Sequence, residues 1–325
     1  MLALAQIVCA VDDGLLPTQR NTVSSDAACT FLADRFAVFP VGRGFFFKQV
    51  FRNSSFAPSV DQPLNYPDVQ ELTSLLYHSP AGNPYEGMAP LRRSGKNGSR
   101  PPASGMDGFT FSFAAKYSPE ITAFVLRTLD GPPRFAVEVG SYLGAGATLT
   151  WGPLAKRGRG LLLCIDTWQG DLHMRLTPTS RFGPGYLRMV KGMPHLNEAF
   201  MQHVVDRNLS DTIYPLPMPS ILGARMLATT SWLIDLIYID SAHERGETII
   251  EIHLYWQVLR PGGLLMGDDY RDFPAVKADV DEFARCQGVE VLTGRTFGAP
   301  NEWAIIKPRD AERAPRGPLG SWRAA

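Results

Sequence analysis

Val137–Thr148, VEVGSYLGAGAT, decides how the rest of the chain is read. An apolar, β-branched run carrying one acid, Glu138, breaks at Gly140 and passes through Gly144 and Gly146 into what reads as a helix from Ala145. Glycines at a strand-to-helix turn allow positive φ and let a ligand approach the backbone, while the helix start offers free N–H groups. A nucleotide-like ligand is implied. The spacing G-x-x-x-G-x-G departs from the G-x-G-x-x-G of dinucleotide sites, and Leu149 stands where the last glycine would be needed, which disfavours NAD. A tight turn without a ligand would use the same glycines.

Outward from this stretch, apolar runs alternate with helical patterns. RFAVEV (134–139) is followed by the helix from Ala145, then GLLLCI (160–165), a helix near Leu196–Asn208, TIYPLP (212–217) and a helix near Ser220–Ala228. LIDLIYI (233–239), a helix over Gly246–Leu259, GGLLMG (262–267), a helix over Ala275–Cys286, VEVL (289–292) and EWAIIK (302–307) complete the series. Such alternation predicts an α/β fold: a Rossmann-like, doubly wound, mostly parallel seven-stranded sheet with helices on both faces. In such sheets ligands sit beyond the carboxyl ends of the strands.

The chain has 325 residues, 45% of them hydrophobic and 20% charged, so it can bury a sizeable core. Lys plus Arg balance Asp plus Glu at 32 each, which gives no field favouring nucleic acid or an anionic membrane; a small-molecule partner is expected, and oligomeric state, including a homo-oligomer, stays open. Cys9, Cys29, Cys164 and Cys286 form no metal-thiolate spacing, and a reducing, cytoplasmic setting fits. The apolar opening MLALAQIVCAV is too short to span a bilayer and lacks a basic flank. A Pro-, Gly-, Ser- and Arg-containing stretch from about 89 to 107 marks a boundary, dividing residues 1–105, an accessory region and linker, from a domain over 106–308; residues 309–325 read as a mobile tail. In the accessory region FAVFPVGRGFFFKQVF and VQELTSLLYH look capable of order but carry no chemical motif.

Strand ends supply the candidate chemistry. LLLCIDTWQGD places Asp166 where an acid can accept hydrogen bonds from both hydroxyls of a ribose, though a helix cap would look the same. Tyr142 and Trp168 would pack on cofactor or substrate, or within a lid. IYIDSAH ends in Asp240 with His243 three residues on, and LLMGDDY ends in Asp268 and Asp269. Three carboxylates on one rim repel each other unless a cation neutralises them; oxygen-only ligands favour Mg²⁺, with Mn²⁺ or Ca²⁺ as substitutes. Each acid alone would also suit a polar turn. The connection Gly170–Pro194, with His173, Arg175, Arg181, Tyr186 and Arg188, is long enough to be a lid over an acceptor pocket or a solvated insertion.

In order along the chain, VEVGSYLGAGAT, IDTWQGD, YIDSAH, LRPGGLLMGDDY and VKADVDEF resemble class I S-adenosylmethionine-dependent methyltransferases, specifically metal-dependent O-methyltransferases of the family 24 type, which include macrocin and mycinamicin sugar O-methyltransferases. The likeness covers roughly residues 108–307. It implies that Glu138, Gly140, Ser141 and Gly144 hold the methionine side of S-adenosyl-L-methionine, that Asp166 holds its ribose, and that Ser220 falls near the adenine, where PMPS departs from the usual acidic pattern. It further implies Asp240, Asp268 and Asp269 as ligands of Mg²⁺ and His243 as the general base. An imidazole with a pKa near ~6.5 would be mostly neutral at pH 7, ready to take the proton of a hydroxyl acceptor. The implied activity is O-methylation of a small molecule, preferably a sugar or polyol with vicinal hydroxyls; catechols are the next acceptor class, and a catalytically silent cofactor-binding subunit is the alternative of another kind.

Overall fold

A computed structural model of the chain describes residues 65–79, 82–90, 119–176, 187 and 189–309. Most of the linker stretch, the segment FAVFPVGRGFFFKQVF, the apolar N-terminus, the tail beyond Arg309, and Arg181, Tyr186 and Arg188 lie outside the described residues.

Seven strands form one sheet: β1 (Phe135–Val139), β2 (Leu161–Asp166), β5 (Ile213–Pro217), β6 (Ile234–Ile239), β7 (Leu259–Gly267), β8 (Leu292–Thr293) and β9 (Trp303–Ile306). Their order is β5-β2-β1-β6-β7-β9-β8, the pairs from β5 to β7 parallel, with β9 antiparallel to β7 and to β8. The expected mostly parallel, doubly wound sheet is present. β3 (Met189–Val190) and β4 (Met193–Pro194) form a separate small hairpin.

The strands read as unbroken apolar runs because both faces of the sheet are covered. Phe135, Val137 and Val139 of β1, with Leu163, Ile165, Ile237 and Ile239, belong to one core cluster; Ala136, Leu162, Cys164, Leu236, Tyr238, Leu264 and Met266 belong to the other. Four helices close the first face: α1 (Val69–Tyr77), α6 (Ser220–Ala228), α7 (Glu247–Val258) and α8 (Pro274–Gln287). The second face receives α2 (Pro119–Thr128), a helical run whose first part, Ala147–Trp151, is π-helical and whose second is α3 (Gly152–Arg157), and α5 (Leu196–Asp206).

Local signals explain the helices. In α8, Val276, Val280, Phe283 and Ala284 fall at the i, i+4, i+7, i+8 spacing of one buried stripe. Pro274 opens this helix, where its missing N–H costs nothing, and Gly288 closes it in the left-handed conformation. Asp68 and Glu71 make a reciprocal capping box for α1. The start of α7 is capped from outside: Asp279 of α8 accepts from the backbone N–H of Gly246 (2.8 Å) and Ile249 (3.2 Å) and pairs with Arg245. The run VEVL, expected as a strand, is one only from Leu292. Val289 N–H still bonds to Ala284 O in the helix exit, and Val289 and Val291 lie against the core as the chain turns.

Residues ahead of the linker pack on this sheet. Asn65 bridges to Trp232, Tyr66 Oη donates to buried Asp235 (2.7 Å), and Tyr77 and Tyr85 donate to the carbonyls of Pro215 and Ile213 (both 2.8 Å). VQELTSLLYH is thus the helix α1, with Leu72 in the core. Among the described residues no helix is long and apolar enough to cross a membrane.

Register sets the functional rim. Val139 pairs with Ile165 and Ile239, Ile239 pairs with Gly267, and Asp166 pairs with Pro217. Gly140, Asp166, Asp240 and Asp268 therefore emerge together at the carboxyl edge.

Candidate functional site

The rim is stitched by backbone bonds from Gly140 N to Ile165 O (2.9 Å) and from Asp240 N to Val139 O (2.8 Å). Gly140 has φ +84°, and a Cβ there would lie 2.0 Å from the carbonyl oxygen of Asp240, so only glycine lets the ends of β1 and β6 meet. Gly144, at φ +80°, would bring a Cβ to 2.8 Å from the Phe200 ring.

Asp166 joins the two loops beside this turn. Its oxygens accept from the backbone N–H of Tyr142 (2.7 Å) and of Trp168 (2.6 Å), and the indole of Trp168 donates back to Tyr142 O (2.8 Å). Each carboxylate oxygen has further lone-pair capacity, which is what a ribose diol would need. Burial raises the Asp166 pKa, with the backbone donors opposing. Trp168 is a core residue, 5.0 Å from the Phe200 ring, rather than an open stacking platform. Glu138 is buried in the middle of the sheet end; burial pushes its pKa up to about 7, with the neighbouring Ser141 and Cys164 side chains opposing. Gly140, Ser141 and Gly144 line the same turn above it.

On the β6 and β7 side, ligand-type atoms of Asp240, His243 and Asp269 all lie within 4.8 Å of one another. His243 is held on three sides: Nε2 is 2.7 Å from Asp269 Oδ2, Nδ1 is 3.3 Å from Asp171 Oδ2, and the ring lies 4.5 Å from that of Phe273. Burial lowers the His243 pKa, but hydrogen bonds to Asp171 and Asp269 and the charges of Asp269 and Asp240 outweigh it and lift the value to about 10. The mostly neutral imidazole expected from the sequence is corrected accordingly. The acids around the ring thus draw it toward its protonated form.

Asp268 stands next to that group of three. Its Oδ1 accepts from Asp269 N (2.8 Å) and from Asn301 Nδ2 (2.7 Å), and its carbonyl accepts from the Trp303 indole (3.2 Å). Asp269 has φ +66°, an uncommon conformation for a residue with a side chain. Asn301 also reaches Asp269 Oδ1 (3.2 Å). Ser220 opens α6 near the buried carboxylate of Glu251, which accepts from Ser241 (2.6 Å), while Ser220 O accepts from Tyr255 Oη (2.9 Å).

Sequence reading missed Asp171, Asn301, Glu251 and Phe273. Asp171 lies within the quoted IDTWQGD, and its signal was an acid following a turn glycine; Asn301 had none, since only the antiparallel β9 brings it beside β7. The Gly170–Pro194 connection is present in part, as α4 (Leu172–Leu176) and the β3–β4 hairpin, with Arg175 donating to Gln169 O (2.7 Å).

The site thus sits on a mostly parallel sheet with an antiparallel β9 between β7 and β8, a glycine turn after β1 and an acid closing β2. Residues 137–270 match the family 24 model described as a methyltransferase domain. No curated protein sequence matches the chain. Similar solved structures include a putative O-methyltransferase from Klebsiella pneumoniae, 14% identical over 64% of this chain and 83% of that one, TM-score 0.41. The calicheamicin methyltransferase CalS11 is 16% identical over 57% of this chain and 77% of its own, TM-score 0.42. The O-methyltransferase NovP is 17% identical over 58% and 80%, TM-score 0.41.

Proposed function

We propose that this domain transfers the methyl group of S-adenosylmethionine to a hydroxyl of a small molecule, with Mg²⁺ as the metal and a vicinal diol of a sugar or polyol as the preferred acceptor. The observation that carries the reading is the convergence of Asp240, His243 and Asp269 at the carboxyl ends of β6 and β7, against the glycine turn that ends β1. Two carboxylates with a nitrogen base beside them suit a hard divalent cation that keeps open positions for oxygen ligands.

Asp240 and Asp269 would hold the ion, and Asp268, fixed by Asn301, would support Asp269 from behind. When bound, Mg²⁺ lowers the pKa of an alcohol and fixes its line of attack; the sulfonium cofactor supplies the methyl. Glu138, Gly140, Ser141 and Gly144 would receive the methionine portion, and Asp166 the ribose. Ser220, turned toward Glu251, would border the adenine only through its backbone. His243 accepts the hydroxyl proton at Nε2, the nitrogen that faces Asp269. Neutralising the two carboxylates removes the charges that hold its own proton, so base function and ion binding belong together. General-base assistance of this kind is worth ~10² to 10⁴ in rate.

The test is a labelled-methyl assay with S-adenosylmethionine against pooled small-molecule extracts, with and without a chelator. Label transfer that the chelator abolishes and Mg²⁺ restores is the expected result, and His243→Ala should remove at least 100-fold of it. Transfer indifferent to the chelator would overturn the metal, and full activity of His243→Ala would overturn the base.

A further inference from the structure

We propose that Asp171 is the positioning residue for His243, binding Nδ1 so that Nε2 is presented to the acceptor. The inference rests on the reading of His243 as the base and assigns a partner that neither the family match nor the strand-end rule supplies.

The geometry is specific. Asp171 Oδ1 accepts from Met174 N (2.7 Å), which fixes the carboxylate at the start of α4 and leaves Oδ2 directed at His243 Nδ1, 3.3 Å away. The turn that aims it depends on Gly170, which has φ +75° and whose added Cβ would lie 2.1 Å from Leu187 Cδ2. The pair is sheltered: the two side chains are 15% and 23% exposed, His243 and Asp171 respectively, and Phe273 covers a face of the ring. A neutral imidazole has one N–H and one lone pair; Asp269 competes for the proton at Nε2, and once an ion engages that carboxylate Asp171 is the acceptor left to hold the proton on Nδ1 and leave the lone pair on Nε2. Asp171 leaves the sheet from β2 and His243 from β6, with β1 between them. The contact therefore arches over the glycine turn, and it belongs to the same connection that carries Asp166. One loop would thereby hold the ribose and orient the base.

Two measurements decide the matter, made on the full chain with Mg²⁺ and S-adenosylhomocysteine as the cofactor probe. The first is the histidine side-chain NMR spectrum, with the His243 signals assigned by their loss in His243→Ala. A hydrogen-bonded, slowly exchanging Nδ1 proton is expected in the wild type. Asp171→Ala should exchange it at least tenfold faster with S-adenosylhomocysteine affinity within twofold, and Asp171→Asn, which keeps an acceptor oxygen, should retain most of the protection. The second is methyl transfer to the pooled extract, where Asp171→Ala should lower kcat by about 10- to 100-fold, the range for partners that fix a ring's tautomer, with KM for S-adenosylmethionine unchanged. A protected Nδ1 proton that persists in Asp171→Ala, or unchanged kcat in that variant, overturns the positioning role. If His243→Ala is fully active, it is the base assignment that falls.

Discussion

Replacing Gly140 with alanine tests the way β1 and β6 meet, and the structure sets the size of the effect. Two penalties add. Holding a residue with a Cβ at φ +84° costs about 1–2 kcal/mol. The new methyl would also lie 2.0 Å from the Asp240 carbonyl oxygen and 2.7 Å from Ser241 Cα, both backbone atoms that cannot rotate away, and overpacking of this kind adds about 1–3 kcal/mol. A total of about 2–5 kcal/mol is expected. Gly288→Ala is the control: it also has positive φ, +63°, but nothing lies within 4 Å of its added Cβ, so only the conformational cost of about 1–2 kcal/mol remains. Urea unfolding of both variants separates strain from collision. Calorimetric titration with Mg²⁺ then asks where the collision is relieved. Since Asp240 must retreat by about 1 Å or more, Gly140→Ala should lose Mg²⁺ affinity by tenfold or more, whereas Gly288→Ala should bind like the wild type. Equal stability losses and equal affinities in the two variants would refute the argument.

Three further outcomes are expected. Glu138, with a folded-state pKa of about 7 against an ordinary value of 4.5, contributes stability that is complete below 4.5 and is lost as pH rises through 7. Glu138→Gln should therefore gain on the wild type across that window, by up to about 3 kcal/mol above pH 7, and a pH-independent difference in denaturant midpoint would contradict it. Asp269→Asn should weaken Mg²⁺ binding at least tenfold, while Asp268→Asn, whose carboxylate faces Asn301, should lower thermal stability more than Mg²⁺ affinity; the reverse order in calorimetry and melting would show that Asp268 is the principal ligand. Phe283→Ala empties a fully buried site in α8 and should cost about 3–5 kcal/mol in urea unfolding, a loss under 1 kcal/mol counting against the packing described.

Much of this architecture could be read from sequence because two-sided burial imposes a simple pattern. Leu161–Ile165 and Ile234–Ile239 have no exposed face, so each strand appears as a continuous apolar run that ends where the rim begins. Helix Ser220–Ala228 was legible at both ends for a related reason, since β-rich and helical spacing switch abruptly at Pro219. The strand-end rule found Glu138, Gly140, Asp166 and Asp240 because parallel register carries each strand to the same edge. It could not divide Asp268 from Asp269. Two adjacent identical residues differ here in backbone angle and in partners, His243 for Asp269 and Asn301 for Asp268, and neither difference is visible in the sequence. The charge of His243 was hidden for another reason. It depends on acids from three separate loops, at positions 171, 240 and 269, and no local window contains them together. VEVL misled because β-branched residues at a helix exit that pack on the core resemble a strand.

The bond from Asp279 to the first turn of α7 has a consequence for engineering. Arg245, Gly246 and Ile249, its partners, lie within six residues after His243, yet Asp279 sits on a different helix, α8. Position 279 is thus a lever outside the pocket. A library restricted to residues on the rim would miss it, while one reaching into the middle of α8 acts on the turn that follows His243 without changing a rim side chain.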